Sequence, residues 1–153
     1  MLGKSFDRRL LEEEKLVRRA RVDINTFMEY VMVDSITHEP IRQAKIHREI
    51  QKFADEHERE GAVIIVPRRH GKTTQMIGRV LFKLGNDPNR RIKIVSANDD
   101  IARKRITEIR EHITSNARLH RVFPNLREDE VVKDWSKSSI TCLLYTSPSP
   151  RDS

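Results

Sequence analysis

Along the first sixty positions the apolar residues fall at helical spacing. Phe6, Leu10 and Val17 are four and seven apart, which predicts a charged helix over residues 5–21. Its other face mixes Glu12, Glu13 and Glu14 with Lys15, Arg18 and Arg19, as a solvated surface helix does. Asp23 is placed to cap a second helix that runs to about Val33 and carries Phe27, Tyr30 and Val31. The stretch from Asp34 to Arg42 contains Pro40 and reads as a loop. From about Gln43 to Glu60 the pattern is helical again, with Ile46, Ile50, Phe53, Ala54 and His57 on one face. Gly61 stands where a residue just past a helix C-terminus is expected.

The period changes at Ala62. Ala62-Val63-Ile64-Ile65-Val66 is unbroken apolar sequence, which predicts a strand covered on both faces. A helix-like stretch follows from Thr73 to Leu84 and stops at the turn cluster Gly85-Asn86-Asp87-Pro88-Asn89. Arg91-Ile92-Lys93-Ile94-Val95-Ser96 reads as a second strand. Ser96 or Asn98 then caps a long helix to about Ser115, with Ala102, Ile106, Ile109 and Ile113 as its apolar stripe. Strand, loop, helix, strand, helix predicts a right-handed βαβα unit with parallel strands. There are no internal repeats.

Between the first strand and the helix lies Val66-Pro67-Arg68-Arg69-His70-Gly71-Lys72-Thr73-Thr74. An apolar run, a loop ending in Gly-Lys-Thr and a helix, in that order, make a phosphate-binding loop of the Walker A kind. Backbone N–H groups at a helix start, with the helix dipole behind them, attract negative charge. Gly71 lets the backbone come close, Lys72 reaches the β- and γ-phosphates, and the Thr73 hydroxyl is suited to Mg²⁺. Thr74 is placed to donate to an α-phosphate, and Arg69 and His70 stand beside the phosphates. The usual pattern has glycine where this chain has Val66. The bland alternative is a basic strand-to-helix turn without a ligand.

The departures from the usual loop are themselves informative. Pro67-Arg68-x-x-Gly71-Lys72-Thr73 resembles the deviant phosphate loop of the large terminase subunits of tailed bacteriophages and herpesviruses, the motors that pump DNA into a preformed capsid. Ile46-His47-Arg48-Glu49-Ile50 ahead of the loop, and Ile92 to Asn98 followed by Ala102, Arg105, Ile106 and Ile109, resemble the flanking segments of that family. Asn116, Leu119, Phe123-Pro124 and Trp135 resemble its next segment, so the likeness spans roughly Asp23 to Trp135. The resemblance implies an α/β P-loop NTPase fold, RecA-like and of the additional-strand type, with an incomplete parallel sheet preceded by N-terminal helices. It implies ATP and Mg²⁺ as cofactors, Lys72 and Arg68 as catalytic residues with Arg68 acting as an arginine finger in cis, and adenine contact by Gln43. The implied partners are double-stranded DNA, a small terminase subunit and a portal protein, in the cytoplasm of an infected bacterial host. A homo-oligomeric motor is a further implication. A family-type acidic strand ending in Asp-Glu is not found; Glu128-Asp129-Glu130 precedes its apolar pair and reads as a solvated loop. The nuclease domain is also missing, so weak nucleotide binding without useful hydrolysis is expected of this chain.

Charge sharpens the picture. Residues 1–60 hold 12 basic and 13 acidic side chains, a net of −1, whereas residues 61–141 hold 17 and 9, a net of +8. The positive excess accompanies the phosphate loop, as expected of a protein that meets polyanions. No apolar stretch approaches the length of a transmembrane helix, and the N-terminus has no signal-peptide core. The lone Cys142 excludes an internal disulfide and points to a reducing compartment. The six histidines show no metal-ligand spacing, and His47 reads as a helix-packing residue.

Cys142-Leu143-Leu144-Tyr145-Thr146-Ser147-Pro148-Ser149-Pro150-Arg151-Asp152 resembles, codon by codon, the translation of a transposase adapter used in sequencing libraries, the alternative being a native Ser/Pro tail. The expected organisation is therefore an N-terminal helical region over 1–42, a partial ATPase domain over 43–141 and a foreign tail over 142–153, with the native frame cut near Thr141. Two other functions remain open. One is another P-loop nucleic-acid ATPase, such as a helicase; the other is a non-enzymatic basic nucleic-acid-binding module in which Arg103, Lys104 and Arg110 touch a DNA backbone.

Overall fold

The computed structural model describes residues 2–34, 37 and 39–127, with side chains from residue 8 on. Its regular structure is helical: α1 Leu2–Ala20, α2 Ile24–Val31, α3 Lys45–Glu56, α4 Lys72–Asn86, α5 Asp99–Ser115 and α6 Ala117–Val122. Two compact units divide within α4, one of residues up to Phe82 and one of residues from Lys83 on. Glu128-Asp129-Glu130, Trp135 and the expected foreign tail over 142–153 lie outside the described residues.

The parallel-sheet α/β fold expected from the two apolar runs is corrected by the structure. Among the described residues there is no sheet, and only an isolated antiparallel bridge joins Val33 to Pro40. Neither 62–66 nor 91–96 enters a ladder. Val63 and Ile65 are 82% and 88% exposed, and Val95 is 78% exposed. The physical reason is that an apolar run supplies only local β preference. A strand also needs neighbours to take its N–H and C=O groups and layers to cover its faces. Helices need neither, because their backbone bonds close within the segment.

In the first unit the core is made by α2 and its neighbours. Ala20, Phe27, Met28, Val31 and Leu81 are fully buried. Gly78 permits the closest approach to α2: a Cβ there would fall 2.0 Å from Met28 Sδ. Phe27 and Phe82 meet edge to face at 5.4 Å between ring centres. Tyr30 donates its hydroxyl to Glu13 Oε1 at 3.1 Å, fastening α2 to α1. α1, α2, α3 and the first part of α4 belong to this unit.

On α3 the buried face matches the predicted apolar stripe only in part. Ile50 and Gln51 are buried, whereas Ile46 and Phe53 are exposed. Phe53 instead lies against the His57 ring one turn on, 4.3 Å between centres. The helix ends at Glu56, and Gly61, with φ +87, closes the turn that follows.

Asp23 caps α2 as expected, accepting the Thr26 N–H at 2.9 Å and the Thr26 hydroxyl as well. Partial burial pushes its carboxyl up, but the hydrogen bonds from Thr26 and Asn25 and the nearby Arg19 charge outweigh that, and the net direction is down. The cap therefore stabilises fully above the ordinary carboxylate range and loses its effect as pH falls through the lowered folded value. Asp23→Ala is expected to cost about 1 kcal/mol at neutral pH. Urea unfolding should show that difference narrowing in acid.

The second unit carries Ile109, Ile113, Leu119, Val122, Phe123 and Leu126 as buried positions. Asn98 caps α5 through the Asp100 N–H at 2.8 Å, one of the two residues expected there. Asn116 ends α5 and caps α6, taking the N–H groups of Arg118 and Leu119. Among the described residues no helix is long and apolar enough to cross a membrane.

Candidate phosphate-binding site

The chain enters α4 through two left-handed residues, Arg69 at φ 66 and Gly71 at φ 68. Glycine adopts that conformation freely; arginine holds it at a cost of roughly 1 to 2 kcal/mol. Within the bend, His70 Nδ1 donates to the Arg68 carbonyl at 3.0 Å. Gly71 therefore has a geometric reason as well as the chemical one read from the sequence.

The first N–H of α4 to bond back is that of Gln75, to the Gly71 carbonyl at 2.9 Å. The N–H groups of Gly71, Lys72, Thr73 and Thr74 lie ahead of it, where a helix has no internal acceptors to offer. Asp23, Asn98 and Asn116 cap their own helices with side-chain oxygens. Gly71 has no side chain to do the same, so donors and dipole at this helix start remain available to an anion.

Lys72 is the first residue of α4, and its side chain folds back over the loop. Its ammonium donates to the Val66 carbonyl and lies 3.5 Å from that of Pro67. The positive charge thus sits in the bend itself. Residues 61–86 contain Arg68, Arg69, Lys72, Arg79 and Lys83 and not one Asp or Glu, so nothing local in sequence opposes that charge. Pro67, Arg68, Arg69, His70 and Thr73 are exposed, Thr74 half-buried. The loop brings together every site residue expected from sequence except Gln43.

Gln43 lies inward, 6% exposed. Its amide donates to Asn25 Oδ1 and Gln75 Oε1, each at 3.1 Å, and accepts from Gln75 Nε2 at 2.6 Å. A contact with adenine requires that pair to open.

The Gln43 amide belongs to a buried polar ladder that pattern reading passed over. Gln51 Nε2 donates to Gln75 Oε1 at 2.9 Å and to the Gln75 carbonyl at 3.1 Å. Gln51 Oε1 accepts from Arg79 Nη1 at 3.2 Å, and Arg79 Nη2 pairs with Asp55 at 2.7 Å. The ladder joins α3 to the first two turns of α4, directly behind Lys72, Thr73 and Thr74. One signal was present in the sequence: Gln51 and Asp55 are four apart, as are Gln75 and Arg79, so each helix offers a matched polar pair on one face.

Phosphate suits this donor set, being met by backbone N–H groups, an ammonium and hydroxyls. Mg²⁺ is less well served. Among the described residues no three His, Cys, Asp or Glu side chains gather to hold a metal, and Thr73 offers a single hydroxyl. Mg²⁺ would therefore arrive on the phosphates, which it binds readily with few protein ligands. No family model, curated protein or solved structure matches the chain.

Proposed function

We propose that the loop 66–74 holds the phosphates of ATP, and that the chain is an ATPase segment of a phage-type large terminase subunit acting on double-stranded DNA. The observation that carries the first part is the placing of Lys72. Its ammonium lies in the bend of the loop, beside four N–H groups at a helix start that has no capping side chain. A phosphate competes with the Val66 and Pro67 carbonyls for that ammonium and brings the negative charge that the carbonyls lack. The loop and helix suffice for this; the reading uses no parallel sheet.

The second part rests on the residue resemblance of Pro67-Arg68-x-x-Gly71-Lys72-Thr73 and on the net positive charge of residues 61–141, which suits a polyanionic partner. In that role Arg68, exposed at the loop, stabilises charge on the γ-phosphate, and Thr73 meets the Mg²⁺ that accompanies ATP and draws charge from its phosphates. The small terminase subunit, the portal ring and the host cytoplasm belong to the same proposal.

Calorimetric titration of the chain with ATP, with and without Mg²⁺, tests the reading. Saturable binding that is competed by inorganic tripolyphosphate is expected. Salt-sensitive DNA binding with no nucleotide effect would instead favour a basic nucleic-acid-binding module.

A further inference from the structure

His47 lies in the first turn of α3, and its ring is fixed at one side and aimed at the loop on the other. Nδ1 accepts the Ala44 backbone N–H at 3.3 Å. That bond serves the helix start: Ala44 is the N-cap residue and has no side-chain oxygen, so the imidazole supplies the missing reciprocal contact of a capping box. Accepting at Nδ1 leaves the proton of the neutral ring on Nε2. Nε2 in turn faces Gly71, where a Cβ would stand 3.5 Å away. The space a side chain would occupy at Gly71 is therefore the space between a fixed N–H donor and the backbone of the phosphate loop.

We propose that His47 is a phosphate-binding residue of this site, donating from Nε2–H to a phosphoryl oxygen held over Gly71. The inference deepens the reading of loop 66–74 as a phosphate site and rests on it. Three donor kinds then converge from two helices: N–H groups of the α4 start, the Lys72 ammonium and the His47 imidazole from α3. The glycine is required for its φ of +68, and having no Cβ it leaves His47 Nε2 uncovered on the side facing the loop. The chemistry recognised is a phosphoryl oxyanion, carried by a nucleotide or by a free polyphosphate.

Two near-isosteres separate the two ends of the ring. His47→Asn places its amide near Nδ1, keeping a partner for Ala44 while removing the Nε2 donor. His47→Gln reaches the Nε2 position with an amide N–H and gives up the Nδ1 acceptor. The test is titration of wild type and both variants with ATP and with inorganic tripolyphosphate, alongside their melting temperatures. His47→Asn is expected to weaken both ligands about tenfold or more, the worth of one hydrogen bond to a charged group, while melting like wild type. His47→Gln is expected to bind within a few-fold of wild type even if its melting temperature falls. Wild-type affinity in His47→Asn would overturn the proposal and leave the loop reading standing. Affinity that follows melting temperature across the two variants would reduce His47 to a capping role. A loss confined to ATP would assign the contact to the nucleoside rather than the phosphates and would also overturn it. If wild type binds neither ligand, the loop reading and this inference fall together.

Discussion

Gln75→Leu is expected to lower the stability of the chain by about 2 to 3 kcal/mol, measured as the urea midpoint followed by circular dichroism. Gln75 is 1% exposed, and its amide makes bonds to both Gln43 and Gln51. Leucine fills much of the same volume but leaves the Gln43 carbonyl oxygen buried without its Gln75 donor. The cost of stranding a buried polar group, about 1 to 3 kcal/mol, exceeds what the bond itself contributes. The double variant Gln43→Leu with Gln75→Leu sharpens the prediction. Removing both amides strands fewer groups than removing one, so the second change should cost much less than it does alone. Additive losses would mean that the two amides are not the coupled pair their geometry indicates. Gln51 keeps its bond to the Gln75 backbone carbonyl in either variant, which limits the loss and preserves the register of α3 on α4.

The same ladder explains why sequence reading succeeded unevenly. α1 and α4 were legible from their apolar spacing, and α2 and α5 from spacing and caps together: Asp23 and Asn98 are short acceptors standing just ahead of periodic segments, and each makes the expected bond. The buried side of α3 was read only in part, Ile50 correctly, because apolar spacing cannot distinguish a glutamine that finds partners from one that faces water. Gln51 is 1% exposed, whereas Ile46 and Phe53, expected on the buried stripe, are exposed. The two strands failed for a different reason. Residues 62–66 and 91–96 have strand composition, but pairing is non-local and composition does not supply the neighbour. The α6 turn was hidden because Asn116 serves two helices at once, and its segment is too short to show a period. At the candidate site the loop residues were legible from their types and order. His47 and Gln75 were not, because what gives each its place is a neighbour far along the chain: Gly71, which His47 Nε2 faces, for one, and Gln43, hydrogen-bonded to Gln75, for the other.

Lys72→Ala is expected to weaken ATP binding on the order of a hundredfold. A hydrogen bond to a charged group contributes about 1.5 to 3 kcal/mol, and the upper part of that range corresponds to two factors of ten. The lysine merits that end because its phosphate partner bears formal charge and residues 61–86 hold no carboxylate to share the ammonium. The change should leave the fold intact. Lys72 is only partly buried, its contacts to Val66 and Pro67 are to loop carbonyls that water can satisfy, and alanine is the best residue for a helix start to continue. Melting temperature should accordingly stay close to wild type while affinity falls. Lys72→Arg makes a useful companion, since it keeps the charge but needs room for a planar guanidinium in the tight bend beside Gly71. Partial recovery with arginine would mean that charge at this point matters more than shape. If Lys72→Ala instead bound ATP as wild type does, the ammonium in the bend would be a structural tie for the Val66 and Pro67 carbonyls. The donors at the start of α4 would then have to hold the phosphates unaided, and the terminase likeness of Gly71-Lys72-Thr73 would lose the residue on which its chemistry depends.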